Sequence, residues 1–267
     1  MGADIHYDTN YGNFETELYS EIRREAFGED IGQNSWLTAG ELDAFVGWLN
    51  LCTGKRVLDV ACGSGGPALR MAASTGCSVV GIDVHEQAIS TARHIASRQL
   101  PGEQAEFHLM DATAELLFPD ASFDAITCID AINHFPNRRG VVAEWTRLLK
   151  PHGRLLFTDP ITVTGPLTNA EISTRSSAGF YLFVPPGCDE LNIALCGLRL
   201  VAIENVTNNI AEVAERRRAA RASRSSSLRE IEGDQEYAGQ QEFLEIAARI
   251  AREGRLSRFL YVAERRG

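Results

Sequence analysis

The chain has 267 residues, 44% of them hydrophobic and 23% charged, with a formal net charge of -10. That supports one large domain, or one domain with a cap, and the acidic balance argues against a nucleic-acid binder. No apolar run approaches the roughly 18 residues of a membrane span, and Met1 to His6 lacks the basic-then-apolar order of a secretory leader, so a cytoplasmic protein is expected.

Residues 13–27 place Phe14, Leu18, Ile22, Ala26 and Phe27 at helical spacing. A turn from Gly28 to Ser35 follows. Thr38 then starts a second helix, with Glu41 placed for a capping box and Leu42, Phe45, Val46 and Leu49 on its apolar face. Residues 1–50 therefore read as a helical cap ahead of the first strand.

From there strands and helices alternate through residues 51–160. Strands are predicted at Arg56–Ala61, Ser78–Asp83, Ala105–Met110, Phe123–Ile129 and Arg154–Thr158. Helices are predicted at Pro67–Ser74, Glu86–Arg98 and Arg138–Leu149. The alternation predicts an α/β, doubly wound, mainly parallel sheet. Residues 161–198 read as a substrate-side segment with an apolar patch from Phe180 to Val184. Residues 199–267 return to the sheet, with strands at Arg199–Val206 and Arg258–Ala263 and helical stretches near 208–230 and 234–253.

The strongest chemical signal is the turn Cys62-Gly63-Ser64-Gly65-Gly66-Pro67-Ala68 after the apolar strand. A Gly-x-Gly-x-x-Ala turn announces a nucleotide pocket, because glycine lets a ligand approach the backbone. Four acids, Asp59, Asp83, Asp111 and Asp130, are predicted at the ends of four successive strands. Asp83 lies twenty residues past Gly63, the separation of an acid that grips ribose hydroxyls. Asp111 can accept from an adenine amino group while the N–H of Ala112 donates to the ring. Asp59 selects the cofactor. It would repel a pyrophosphate over the glycine loop by several kcal/mol, whereas it stabilises the ammonium and sulfonium of a methionine-derived nucleoside.

Together these residues resemble the class I S-adenosylmethionine-dependent methyltransferases over Val57 to Pro160. Leu148-Leu149-Lys150-Pro151-His152-Gly153 looks like that family's Leu-Lys-Pro-Gly-Gly turn, with histidine in place of a glycine. More narrowly, Gly28 to Gly32 and the N-terminal tyrosines look like small-molecule enzymes of the sarcosine/dimethylglycine and phosphoethanolamine N-methyltransferase type. The resemblance implies a seven-stranded, Rossmann-like sheet with an antiparallel last strand. It also implies S-adenosyl-L-methionine at Asp59, Ala61, Gly63, Gly65, Asp83, Val84, Asp111 and Ala112, and a cofactor ammonium at the backbone of Cys128 to Asp130. Asn133 and His134 follow where this family often places a residue facing the reacting centre.

His134 is the candidate general base, since histidine accepts a proton near neutral pH. Tyr7, Tyr11, Gln33, Asn34, Ser35 and Trp36 are the candidates for the lid, with Phe180 and Tyr181 as a second wall. A small-molecule N- or O-methyltransferase, monomeric or homodimeric, is the leading reading. A nicotinamide-dependent oxidoreductase and a non-catalytic cofactor-binding module are the alternatives. The six cysteines form no C-x-x-C pair, and no metal spacing is present, so reduced thiols and no metal are expected. Residues 216–229 hold six arginines and no acid, and read first as a solvated helix face.

Overall fold

The computed structural model describes residues 9–100, 102, 104–177 and 179–267. Its centre is a seven-stranded sheet in the order β3-β2-β1-β4-β5-β7-β6. The strands are β1 (Arg56–Val60), β2 (Ser78–Asp83), β3 (Ala105–Leu109), β4 (Phe123–Cys128), β5 (Leu149–Val163), β6 (Leu198–Asn205) and β7 (Leu256–Arg265). Strands β3, β2, β1, β4 and β5 pair in parallel, and β7 runs antiparallel between β5 and β6. The expected sheet, with its reversed last strand, is the one observed.

Sequence parity explains the two layers. Leu58, Val60, Val80, Ile82 and Ile126 face one way, into a core built around Trp145, Phe123 and Phe157. Val57, Val79 and Ala125 face the other way, onto Leu69, Met71, Ile89 and Phe107. Because helices cover both faces, the central strands are apolar almost throughout and do not alternate. The covering helices are α3 (Gly66–Thr75), α4 (Glu86–Gln99) and α5 (Arg138–Leu148).

The two N-terminal helices, α1 (Glu17–Phe27) and α2 (Ala39–Gly47), frame the loop 28–38. Beyond β5 come α6 (Asn169–Arg175) and α7 (Cys188–Leu195), then after β6 come α8 (Thr207–Ala222), α9 (Ser225–Glu232) and α10 (Asp234–Arg252). Ala26, Phe27 and Trp36 bury against Ile210, Val213, Ala214, Leu244 and Ala247, so the N-terminal elements rest on α8 and α10.

Several boundaries differ from the sequence reading. The stretch near 208–230 is two helices, broken at Ser223 and Arg224, where the Ser223 hydroxyl donates to the Ala220 carbonyl instead of extending the apolar stripe. Strand β5 is three times the expected length, because β7 pairs with it as far as Val163. Thr38 caps α2 by accepting from the Glu41 N–H, yet the reciprocal half of the capping box is missing. The Glu41 carboxylate goes instead to Arg258 and Asn209. Asp59 lies inside β1 and does not end it, while Asp111 and Asp130 lie just beyond their strands. His152 sits at φ 64°, a left-handed conformation that glycine adopts freely, at the position where the resembling turn carries glycine.

Candidate active site

A cavity of about 510 Å³ opens at the carboxyl ends of β1, β2 and β4, where open α/β sheets bind ligands. Its floor is the glycine turn, Ala61 to Ser64, with Pro67. Its walls include Asp59, Asp83, Val84, Met110, Ala112, Asp130, His134 and Phe180, with Tyr11, Asn34 and Ser35 from the N-terminal segment. Among the described residues no lysine or arginine lines it.

Each carboxylate is held differently. The Gly63 and His85 N–H groups both donate to Asp83, at 2.9 Å each, which ties the glycine turn to the end of β2. Burial nevertheless raises the Asp83 carboxyl above its ordinary value. Asp59 is 3% exposed and accepts from the Thr127 hydroxyl at 2.7 Å. Burial pushes its carboxyl up to about 7, against the opposing Thr127 hydrogen bond. Asp130 accepts from Arg258 at 2.6 and 3.1 Å, from the Thr158 hydroxyl at 2.7 Å and from the Trp36 N–H at 3.0 Å. Arg258 is completely buried and also donates to Glu41, so this ion-pair network fastens loop 28–38 to the end of β4.

The backbone at this crest is strained. Ala61 and Asp130, on adjacent strands' exits, have φ of 56° and 54°. Non-glycine residues in that region cost of order 1–3 kcal/mol each and cluster at binding sites. Gly66 is required by packing: a β-carbon there would fall 1.9 Å from the Ile31 carbonyl oxygen, so the N-terminal loop lies directly on the helix entrance.

His134 sits on a short 3₁₀ turn (Ile132–His134) after β4. Its Nδ1 lies 2.9 Å from the Phe180 carbonyl oxygen. A carbonyl can only accept, so Nδ1 carries the proton and Nε2 the lone pair in the neutral ring. Burial lowers its pKa below the ordinary value, against the Phe180 bond, so the neutral ring is favoured at pH 7. Tyr181 packs edge-on to it, centroids 4.7 Å apart. The wall from Phe180 to Val184 is pinned: the Leu182 N–H donates to the Asn133 carbonyl, and Arg138 donates to the Leu182 carbonyl. Arg138 also binds Asp159 and Asp189 deep in the protein.

The structure thus brings Asp59, Ala61, Gly63, Asp83, Val84, Ala112, Asp130, His134, Tyr11 and Phe180 to one cavity. Others lie off its wall. Gly65 faces away: a β-carbon there would meet Phe107 at 2.8 Å, so its role is helix packing. Asp111 is exposed and folds back on the Thr113 N–H and hydroxyl. Cys128 is fully buried in the sheet, and Ile129 takes the place on the wall. Gln33 braces its own loop by accepting from the Ile31 N–H and donating to the Glu29 carbonyl. Trp36, Asn133 and Tyr181 line a second, smaller cavity. Tyr7 lies outside the described residues. Among the described residues no group of three or more His, Cys, Asp or Glu could hold a metal ion, and no helix is long and apolar enough to cross a membrane.

Residues 58–157, which supply β1 to β5 and most of this crest, match the protein family described as "Methyltransferase domain". Over that stretch the chain is similar to a methyltransferase domain. It is 31% identical over 159 residues to 27-O-demethylrifamycin SV methyltransferase of Amycolatopsis mediterranei, covering 56% of this chain and 58% of that one. It is 37% identical over 172 residues to methyltransferase GfsG of Streptomyces halstedii, covering 60% of each. The chain therefore spans about three-fifths of the length of these curated relatives. Among solved structures, phosphoethanolamine N-methyltransferase 2 of Haemonchus contortus, in complex with phosphomonomethylethanolamine and S-adenosylhomocysteine, superposes with a TM-score of 0.82 at 20% identity. That match covers 98% of this chain and 60% of the other, and it concerns the fold.

Two arginines that line the second cavity, Arg175 and Arg217, were not singled out by the sequence reading. Arg175 carried no local signal. Arg217 was submerged in the arginine run, four of whose other members are paired: Arg218 with Glu245, Arg224 with Glu21 and Glu25, and Arg229 with Asp234 towards solvent, and Arg221 with Glu232 in a buried pair.

Proposed function

We propose that the chain is an S-adenosylmethionine-dependent methyltransferase acting on nitrogen or oxygen of a small-molecule acceptor. The observation that carries this reading is the electrostatic character of the main cavity. Asp59, Asp83 and Asp130 stand on its wall beside a glycine turn, with no lysine or arginine among its described lining residues. Such a wall suits a cationic nucleoside. A nicotinamide dinucleotide fits poorly, because its pyrophosphate would face Asp59 and Asp83 with no lysine or arginine among the described lining residues. The cavity also has unmet polarity: the Ser64 hydroxyl is buried at its floor with no hydrogen-bond partner among the described residues.

S-adenosylmethionine, when bound, supplies a methyl group already activated for in-line displacement. The residues that would hold it are Asp83 at the ribose, the Ala61 to Ser64 turn at the methionine part, and Met110 and Ala112 at the adenine. Asp59 adds negative potential to the same wall, while Asp130, paired with Arg258, holds the N-terminal loop beside it. His134 is the base: Nδ1–H is committed to the Phe180 carbonyl, so Nε2 takes the acceptor's proton. Phe180 and Tyr11 keep water from the reacting centre, which together with orientation is most of what such a displacement requires.

The test is incubation of the protein with isotopically methyl-labelled S-adenosylmethionine and a pool of metabolites, read by mass spectrometry. A labelled product formed by wild type and lost in Asp83→Ala supports the reading. Binding of the cofactor with no transfer to any pool would favour a non-catalytic module instead.

A further inference from the structure

Arg138 opens α5, just after the turn that holds His134, and is 3% exposed. Its Nη1 donates to Asp159 at 2.6 Å and to the two oxygens of Asp189 at 3.1 and 3.0 Å. Its Nη2 donates to the Leu182 carbonyl at 2.7 Å. Its Nε is buried with no hydrogen-bond partner among the described residues. A guanidinium placed only to neutralise a carboxylate presents two nitrogens to it as a fork. Here one nitrogen serves both carboxylates, another is left unmet, and burial together with Asp159 raises the Asp189 carboxyl. The arrangement gives up ion-pair strength and leaves Nη2 for a backbone carbonyl.

That carbonyl belongs to the segment that orients the proposed base. Residues 180–183 lie in neither helix nor strand, so no ladder fixes their direction. Leu182 is gripped twice: its N–H donates to the Asn133 carbonyl at 2.8 Å, and its own carbonyl accepts from Arg138. Two residues earlier, the Phe180 carbonyl accepts from His134 Nδ1. Two residues of chain span at most about 7 Å, so a displacement at Leu182 is passed on to the Phe180 carbonyl. A neutral imidazole carries its proton on the nitrogen that finds an acceptor. If the Phe180 carbonyl turns away, the proton is no longer held at Nδ1. A ring protonated at Nε2 has no lone pair there for an acceptor's proton.

We propose that Arg138 is a positioning residue for His134: through Leu182 and the Phe180 carbonyl it sets which ring nitrogen carries the proton and where the other points. The inference rests on the methyltransferase reading above, in which His134 takes the acceptor's proton. Asp159 and Asp189 hold the guanidinium from behind, so the direction of the base is fixed from the core of the protein and not from the cavity.

The test reads the ring and needs no acceptor. Protein labelled with nitrogen-15 at histidine is saturated with S-adenosylhomocysteine, followed by calorimetry, and its ring nitrogens are observed by NMR at pH 8. The His134 signals are those missing from His134→Gln. In the wild type Nδ1 is expected to be protonated and Nε2 bare. In Arg138→Met the two tautomers are expected to mix, with S-adenosylhomocysteine affinity kept. For the product that the labelled-methyl assay yields, kcat is expected to fall about 10²-fold with the KM for S-adenosylmethionine unchanged. Arg221→Met strands Glu232 in an equally buried pair away from this wall, and is expected to leave the His134 ring and kcat as they are. Should Arg138→Met fail to melt cooperatively, Asp159→Asn and Asp189→Asn are added to it, which removes the stranded charges together, and the same mixing is expected. A wild-type ring protonated at Nε2, a folded Arg138 variant with an unchanged ring, or an equal change in Arg221→Met overturns the role of Arg138 and leaves the methyltransferase reading standing. Absence of S-adenosylhomocysteine binding to the wild type overturns that reading, and the base with it, whatever the ring shows.

Discussion

Asp59 carries a charge that its surroundings resist. Burial raises its carboxyl to about 7, so near neutral pH a substantial fraction is protonated. A cationic ligand prefers the ionised form. S-adenosylmethionine affinity should therefore rise as pH increases through about 7 and level off above it, and Asp59→Asn should flatten that profile; titrations at several pH values check both. Asp83 organises the turn itself through the Gly63 and His85 N–H groups. Asp83→Ala should abolish detectable cofactor binding by calorimetry. His134 should act differently. His134→Gln is expected to slow turnover by about 10²–10⁴-fold with S-adenosylhomocysteine affinity kept. Because its pKa is lowered, wild-type turnover should be flat above neutrality and fall only on the acid side. At this scale the sequence was informative where chemistry follows chain position, as for Asp83 and the glycine turn. It was silent where chemistry depends on folding, since nothing local marks Arg175, and Asp111 has the right spacing but turns its carboxylate onto Thr113.

Among the elements, βα alternation and apolar strands made the sheet legible through β5. Lengths were less so. The end of β5 is set by pairing with β7, from nearly a hundred residues later, and a local pattern cannot report such a partner. The break between α8 and α9 depends on a serine that bonds its own backbone, which propensity does not distinguish from a helical surface. The irregular start of β5 yields a stability prediction. His152→Gly should stabilise the protein by about 0.5–1 kcal/mol in a denaturant melt, as relief of the left-handed penalty outweighs the entropy of glycine in the unfolded chain. The wall from Phe180 to Val184 depends on α5 through Arg138. Arg138→Met leaves Asp159 and Asp189 buried without their cation and should cost about 3–5 kcal/mol. The same melt measures it.

Across the whole molecule, charge is sorted into compartments. The net charge is -10, yet arginines concentrate on α8 to α10 and at the second cavity. The main cavity at the crest of the sheet has a wall of carboxylates. The N-terminal loop joins the two, tied through Trp36, Asp130, Arg258 and Glu41. Composition foretold the acidity but could not foretell its division, which arises only when residues 28–38, 130–134 and 207–243 meet. The direct test of that division is paired calorimetry of the wild-type protein with S-adenosylmethionine and with NAD at pH 7.5. One saturable site for S-adenosylmethionine and no heat of binding for NAD is the predicted result; binding of NAD, or of neither, would contradict it.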